Sequence, residues 1–104
     1  MYHFAPPVSS FEEIAQRLTQ KAERLRMFGV EGVTVFGSFA TGAFDPDSDV
    51  DLIVEPGPGT FEELIDLQDV LESALMRRVD VLTRAAAKPS LLAEVSRSGR
   101  KILL

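Results

Sequence analysis

The segment VTVFGSFATGAFDPDSDVDLIV, residues 33–54, limits the folds open to this chain more than any other. It begins as an apolar β-rich run, breaks at Gly37-Ser38, and resumes as a second apolar run that carries Asp49 and Asp51. Side chains alternate along a strand, so Asp49 and Asp51 point one way while Val50 and Leu52 point the other. Like charges held side by side repel and resist burial. A fold must therefore place one face of this strand in a core and find a partner or a use for the charge on the other.

The flanking pattern supplies the rest of a small domain. Ser10 followed by Glu13 is a capping-box signature. Phe11, Ile14, Ala15, Leu18, Ala22, Leu25 and Phe28 then recur at helical spacing, which predicts one helix ending at Gly29. GVTVFG (residues 32–37) reads as a buried strand, and DVDLIVE (49–55) as a second, closed by the turn-rich PGPG. Thr60 and Glu63 form another capping box. It opens a helix whose stripe is Phe61, Leu64, Ile65, Leu71 and Leu75, widened by Leu67 and Val70. RRVDVLT (77–83) is a third strand, PSLLAEVSRSG (89–99) a short helix, and KILL a closing segment that suits a short strand.

This order predicts an α/β (α+β) fold, a small mixed sheet of three to four strands backed by helices on one side. The helix between the second and third strands suggests a parallel crossover. With 104 residues the chain is expected to form a single domain, 1–104, in which residues 1–9, including Tyr2 and His3, form a flexible N-terminal tail.

Composition removes several function classes. There are no cysteines and one histidine, which argues against disulfides, thiolate metal sites, His-based zinc and Ser-His-Asp triads. A net charge of −5 argues against direct nucleic-acid binding, although Arg77-Arg78 and the Arg97–Lys101 segment are local basic clusters. No apolar run approaches the roughly 20 residues of a membrane span, and the N-terminus lacks the basic start and apolar centre of a signal peptide. A cytoplasmic protein is expected.

Asp80 in RRVDVLT sits between two valines, in the same context as Asp49 and Asp51. If the third strand neighbours the second, the three carboxylates meet across the sheet. Alone, an aspartate in this setting is more often a salt-bridge partner, here of Arg77 or Arg78. A trio of carboxylates is most simply stabilised by a divalent cation, and an all-oxygen site favours Mg²⁺ or Mn²⁺. Two such ions about 3.5–4 Å apart activate an attacking oxygen and neutralise a leaving phosphate. Gly37-Ser38 reads either as a tight turn or as the start of a short helix through Phe39, Ala40 and Thr41, whose amides and hydroxyl would seat a phosphate. Competing motifs fail. Gly37-x4-Gly42 lacks the P-loop Lys and Ser/Thr, having Ala43 and Phe44 there. The ladder Asp45, Asp47, Asp49, Asp51 lacks the glycine and bidentate glutamate of an EF-hand from either start. Asp45 and Asp47 flank Pro46 and read as turn residues.

Gly-Ser, ten residues, then Asp-x-Asp is the spacing of Gly37-Ser38 and Asp49-Val50-Asp51. Together with the later VDVLT, it resembles the signature of the polymerase-β-type nucleotidyltransferases, and the size is similar to the minimal nucleotidyltransferases (MNT). These are commonly the antitoxin half of HEPN/MNT toxin–antitoxin pairs. The resemblance implies a Mg²⁺-dependent, two-ion transfer of AMP from ATP to a tyrosine of a HEPN-type RNase toxin, which is thereby neutralised. By matched position Asp49 and Asp51 would ligate metal, Asp80 would ligate metal and help deprotonate the acceptor, and Gly37 and Ser38 would hold the β- and γ-phosphates. The family often reads Gly-Ser-Arg-x-Arg-Gly. Here Phe39 and Thr41 stand in place of both arginines, and Arg77, Arg78 and Lys101 are the bases that could substitute. The missing arginines, with apolar helix faces available for an interface, keep open an antitoxin that acts by binding and occluding its toxin. A small-molecule nucleotidyltransferase is a further alternative, although no room for a separate substrate domain is evident.

Overall fold

The computed structural model describes residues 6–104. The chain runs α1 (Phe11–Gln20), α2 (Ala22–Met27), β1 (Val30–Phe36), α3 (Ser38–Thr41), β2 (Val50–Pro56), α4 (Phe61–Leu75), β3 (Val79–Thr83), a 3-10 turn at Arg84–Ala86, α5 (Pro89–Ser98) and β4 (Arg100–Leu103). Ser10 Oγ accepts the Glu13 N–H at 3.0 Å and starts α1 as its spacing requires. The Glu13 carboxylate answers one residue early, accepting from Ser9 N–H and Ser9 Oγ at 3.0 Å each. The single helix expected up to Gly29 is instead two, because the backbone leaves helical geometry at Lys21 (φ −103°, ψ 12°). Neither glycine nor proline marks the break. It lets α1 pack on α4 and α2 on β1, two surfaces that one straight rod does not follow.

β1 and β2 pair antiparallel, Val33 with Val54 and Val35 with Leu52. β4 pairs antiparallel with β1, and β3 pairs parallel with β2, giving the order β3-β2-β1-β4. The crossover through α4 is the predicted one. Val33, Val35, Leu52, Val54 and Ile102 point to one face, where they join Ile14, Leu18, Leu25, Leu67, Leu71 and Leu75 in the main core.

The opposite face is also covered, which corrects the expectation of helices on one side only. Ile53 and Thr34 alternate onto it and are 0% and 7% exposed. α5 lies there through its buried Val95, and so closely that a Cβ on Gly99 would come within 2.9 Å of Thr34 Cγ2. Central strands buried on both faces read as continuous apolar runs, as Leu52-Ile53-Val54 does.

Two further expectations shift. In α4, Leu67, Leu71 and Leu75 are buried, but Phe61 and Ile65 are 75% and 44% exposed. The helix is rotated so that the Phe61 side meets the β3 edge: Gln68 Nε2 donates to Val79 O at 3.0 Å and Glu72 Oε2 accepts Val79 N–H at 2.9 Å. Of the tail expected over residues 1–9, residues 1–5, with Tyr2 and His3, lie outside the described residues. Val8 is not tail but core, fully buried, with its N–H on Leu75 O at 3.0 Å and its O accepting Arg77 Nε–H at 2.7 Å.

This helix phase is testable by urea unfolding. Leu71→Ala is expected to cost about 2–5 kcal/mol. Phe61→Ser is expected to stay within about 0.5 kcal/mol of the unaltered protein. Equal losses would contradict the observed rotation of α4.

Candidate active site

The parallel register sets Asp51 on β2 directly beside Asp80 on β3. Because Val50, Leu52 and Val79 fill the main core, both carboxylates point to the α5 side of the sheet. Asp51 is half-buried, and Asp80 and Asp49 are exposed. Asp49 stands one residue before β2, where the next amide, Val50 N–H, donates to Arg78 O at 2.9 Å. Burial pushes the Asp51 carboxyl up from 3.8 to about 6, assisted by the charge of Asp80, a hydrogen bond with Asp80, and the charges of Asp49 and Glu94. Two carboxyls hydrogen-bond only by holding a proton between them, and a cation can take that proton's place.

Among the described residues no three Asp, Glu, His or Cys side chains are already gathered into a ligating cluster. Asp51 and Asp80 converge, and Asp49 stands at their margin. Glu94, an exposed residue of α5 that the sequence did not single out, adds its negative charge to the surroundings of Asp51. Its only advance signal was an acid in the helix that follows the third strand.

β1 ends at Phe36, which pairs with Asp51, so the chain leaves the sheet beside the aspartates. Gly37 then adopts φ 69° and ψ −147°, and a Cβ on it would collide with Asp51 Oδ2. Only glycine combines that backbone with so close an approach. The turn opens α3, as one of the two expectations for Gly37-Ser38 required. Ala40 and Thr41 N–H donate to Gly37 O at 3.1 and 3.3 Å, and Gly42 N–H closes on Ser38 O at 2.9 Å. The amides of Ser38 and Phe39 precede the first intrahelical bond.

At the two positions where the family often has arginine, neither residue offers a cation. Phe39 is 2% exposed and stacks on Phe44 with ring centroids 4.3 Å apart and planes 5° from parallel. The Thr41 hydroxyl turns back to Gly37 O and Ser38 O, at 3.5 and 3.4 Å. Lys101 runs over Gly32, toward the end of the sheet away from Asp51. Arg77 is committed to backbone carbonyls. Arg78 is exposed and lines, with Asp47 and Asp49, a cleft of about 190 Å³.

Residues 12–102 match the nucleotidyltransferase domain family. The chain belongs to that family. The protein adenylyltransferase MntA of Thermococcus cleftensis is 37% identical over 95 residues, 85% of this chain and 91% of the relative. Two solved structures share the fold. One is a toxin–antitoxin with AMP-PNP (TM-score 0.70, 22% identity, covering 84% of this chain and 70% of that one). The other is a tri-AMPylated Shewanella oneidensis HEPN toxin in complex with MNT antitoxin (TM-score 0.59, 20% identity, covering 85% and 70%).

In this nucleotidyltransferase domain the donor set around Asp51 is all oxygen and negatively charged, which suits a hard divalent cation. Without one, the same set destabilises the fold. The Asp51 carboxyl binds its proton more tightly folded than unfolded, so its contribution to stability is full below pH 3.8 and is lost as pH rises to about 6. Asp51→Asn removes that penalty. In metal-free buffer its melting temperature is expected to match the unaltered protein near pH 4 and to exceed it by a few degrees at neutral pH. A constant difference across this range would contradict the assigned environment. Gly37→Ala places a methyl against Asp51 in a left-handed backbone, at a cost of about 1–3 kcal/mol measured by denaturation.

Proposed function

We propose that the protein is a Mg²⁺-dependent nucleotidyltransferase antitoxin that transfers AMP from ATP to a tyrosine hydroxyl of a partner HEPN-type RNase toxin and so neutralises it. The observation that carries this reading is the register of Asp51 on Asp80 beside the glycine that abuts Asp51. Family membership, the MntA relative, and the fold shared with toxin–antitoxin structures support it. An ATP-fed reaction implies a cytoplasmic protein; among the described residues no helix is long and apolar enough to cross a membrane.

In this reading Asp49, Asp51 and Asp80 hold two Mg²⁺ ions, which Mn²⁺ can replace. Bound there, such ions supply the positive charge that neutralises polyphosphate and lowers the acceptor's pKa. The Gly37-Ser38 turn binds the β- and γ-phosphates through backbone amides and the Ser38 hydroxyl. Asp80, exposed at the edge strand, accepts the proton of the acceptor hydroxyl as it attacks the α-phosphorus in line and pyrophosphate leaves. The site acts chiefly by positioning and by fixed charge.

A second reading, an antitoxin that only binds and occludes its toxin, is favoured by the burial of Phe39 and the bonding of the Thr41 hydroxyl to the α3 backbone, which leave α3 with no cationic side chain of its own. Intact-mass analysis of the partner toxin after incubation with this protein, ATP and Mg²⁺ separates the two. Transfer predicts added AMP that is lost with Asp49→Asn, together with the loss of protection of RNA. Occlusion predicts no added mass, and protection that survives Asp49→Asn/Asp51→Asn.

A further inference from the structure

Arg77 lies between the C-cap of α4 and the start of β3, at the meeting point of three segments remote in sequence. Its Nε donates to Val8 O at 2.7 Å. Its Nη1 donates to Pro46 O and Ser48 O at 3.0 Å each, with Asp45 O at 3.4 Å. Its Cζ stands 5.0 Å from the centroid of the Phe39 ring, which is itself stacked on Phe44. Among the described residues it has no carboxylate partner, so its charge is balanced by carbonyl dipoles and an aromatic face.

These contacts join the two halves of the site. Ser48 is the residue before Asp49, and Phe39 is the residue after Ser38. We infer that Arg77 is the positioning residue of this site, a single guanidinium that holds the Asp49 loop and the Gly37-Ser38 turn in fixed relation. The inference rests on the nucleotidyltransferase reading for its consequence and on the contacts above for its geometry. Residues 45–48 form a turn of their own, with Ser48 N–H on Asp45 O at 3.1 Å, Asp45 N–H on Ser48 Oγ at 2.9 Å and Asp47 N–H on Asp45 Oδ1 at 2.8 Å. These bonds leave the carbonyls of Pro46 and Ser48 free, and the Arg77 bonds to them are what tie the turn to the rest of the domain. Lysine cannot replace it. An ammonium is one point of charge with no Nε donor, whereas the planar fork reaches Val8 O and the loop carbonyls in separate directions. The same placement sets Arg77 apart from a substitute for the family arginines, since its Nε and Nη1 donors are taken up by backbone carbonyls.

The test uses the full chain with Arg77→Lys and Arg77→Ala, read by amide hydrogen exchange and by calorimetric binding of ATP with Mn²⁺. Arg77→Lys is expected to raise exchange in residues 43–49 about 10-fold, to leave β1 and β2 protected, and to weaken Mn²⁺–ATP binding about 10-fold. Methylguanidinium added to Arg77→Ala is expected to restore both loop protection and affinity. Unaltered exchange and affinity in Arg77→Lys overturn the inference. So does a rise spread evenly over β1 and β2 without rescue, which marks a general fold-stabilising role. If the unaltered protein binds no Mn²⁺–ATP, the proposed activity fails separately, and the loop-exchange pattern with its rescue still decides the role of Arg77.

Discussion

Parallel pairing of β2 with β3 aligns Asp51 with Asp80, and the site depends on that register. A slip of one residue would turn Asp80 into the core and Val79 and Val81 out of it, so the hydrophobic pattern itself resists the slip. α4 adds a second lock. Gln68 and Glu72 take up the outward carbonyl and amide of Val79, at the point where the edge strand begins. Two carboxylates that repel each other are thus held together by the valines and leucines on the other face of the same strands.

The electrostatic cost of that arrangement is concentrated on Asp51. Burial and the neighbouring Asp80, Asp49 and Glu94 all favour its protonated form. A domain that evolved for stability alone gains nothing from this, and functional sites are where such penalties are retained. Gly37 belongs to the same compromise, since its missing side chain makes room for the Asp51 carboxylate. Phe39 and Phe44 replace a cationic surface near this turn with a buried aromatic stack, and Arg77 brings its charge beneath that stack rather than into the open site.

Strand and helix identities were legible because their signals are local: capping residues at Ser10 and Thr60, β-branched runs in β1 and β2, and the stop at Gly99. Four features were not, the covering of the second sheet face by α5 among them. The break at Lys21 carries no local signal, since it serves two packing partners that lie far along the chain. The rotation of α4 follows from the polar clamp on Val79, which a hydrophobic stripe that includes Phe61 and Ile65 obscures. The burial of Val8 depends on Leu75 and Arg77, nearly seventy residues away, and two prolines before it resemble the start of a tail.

The sequence by itself determined which residues could carry chemistry, because the spacing of Gly37-Ser38, Asp49-x-Asp51 and Asp80 is written in one dimension, and strand periodicity already puts Asp51 opposite the core. Only the tertiary structure decided which of them converge. Asp51 and Asp80 are brought together by ladder register, the charge of Glu94 is added to their surroundings by α5 on the second face, and Arg77 is placed by the meeting of three distant segments. Those are long-range pairings, set by the burial of β1 and β2 on both faces, and no local pattern encodes them.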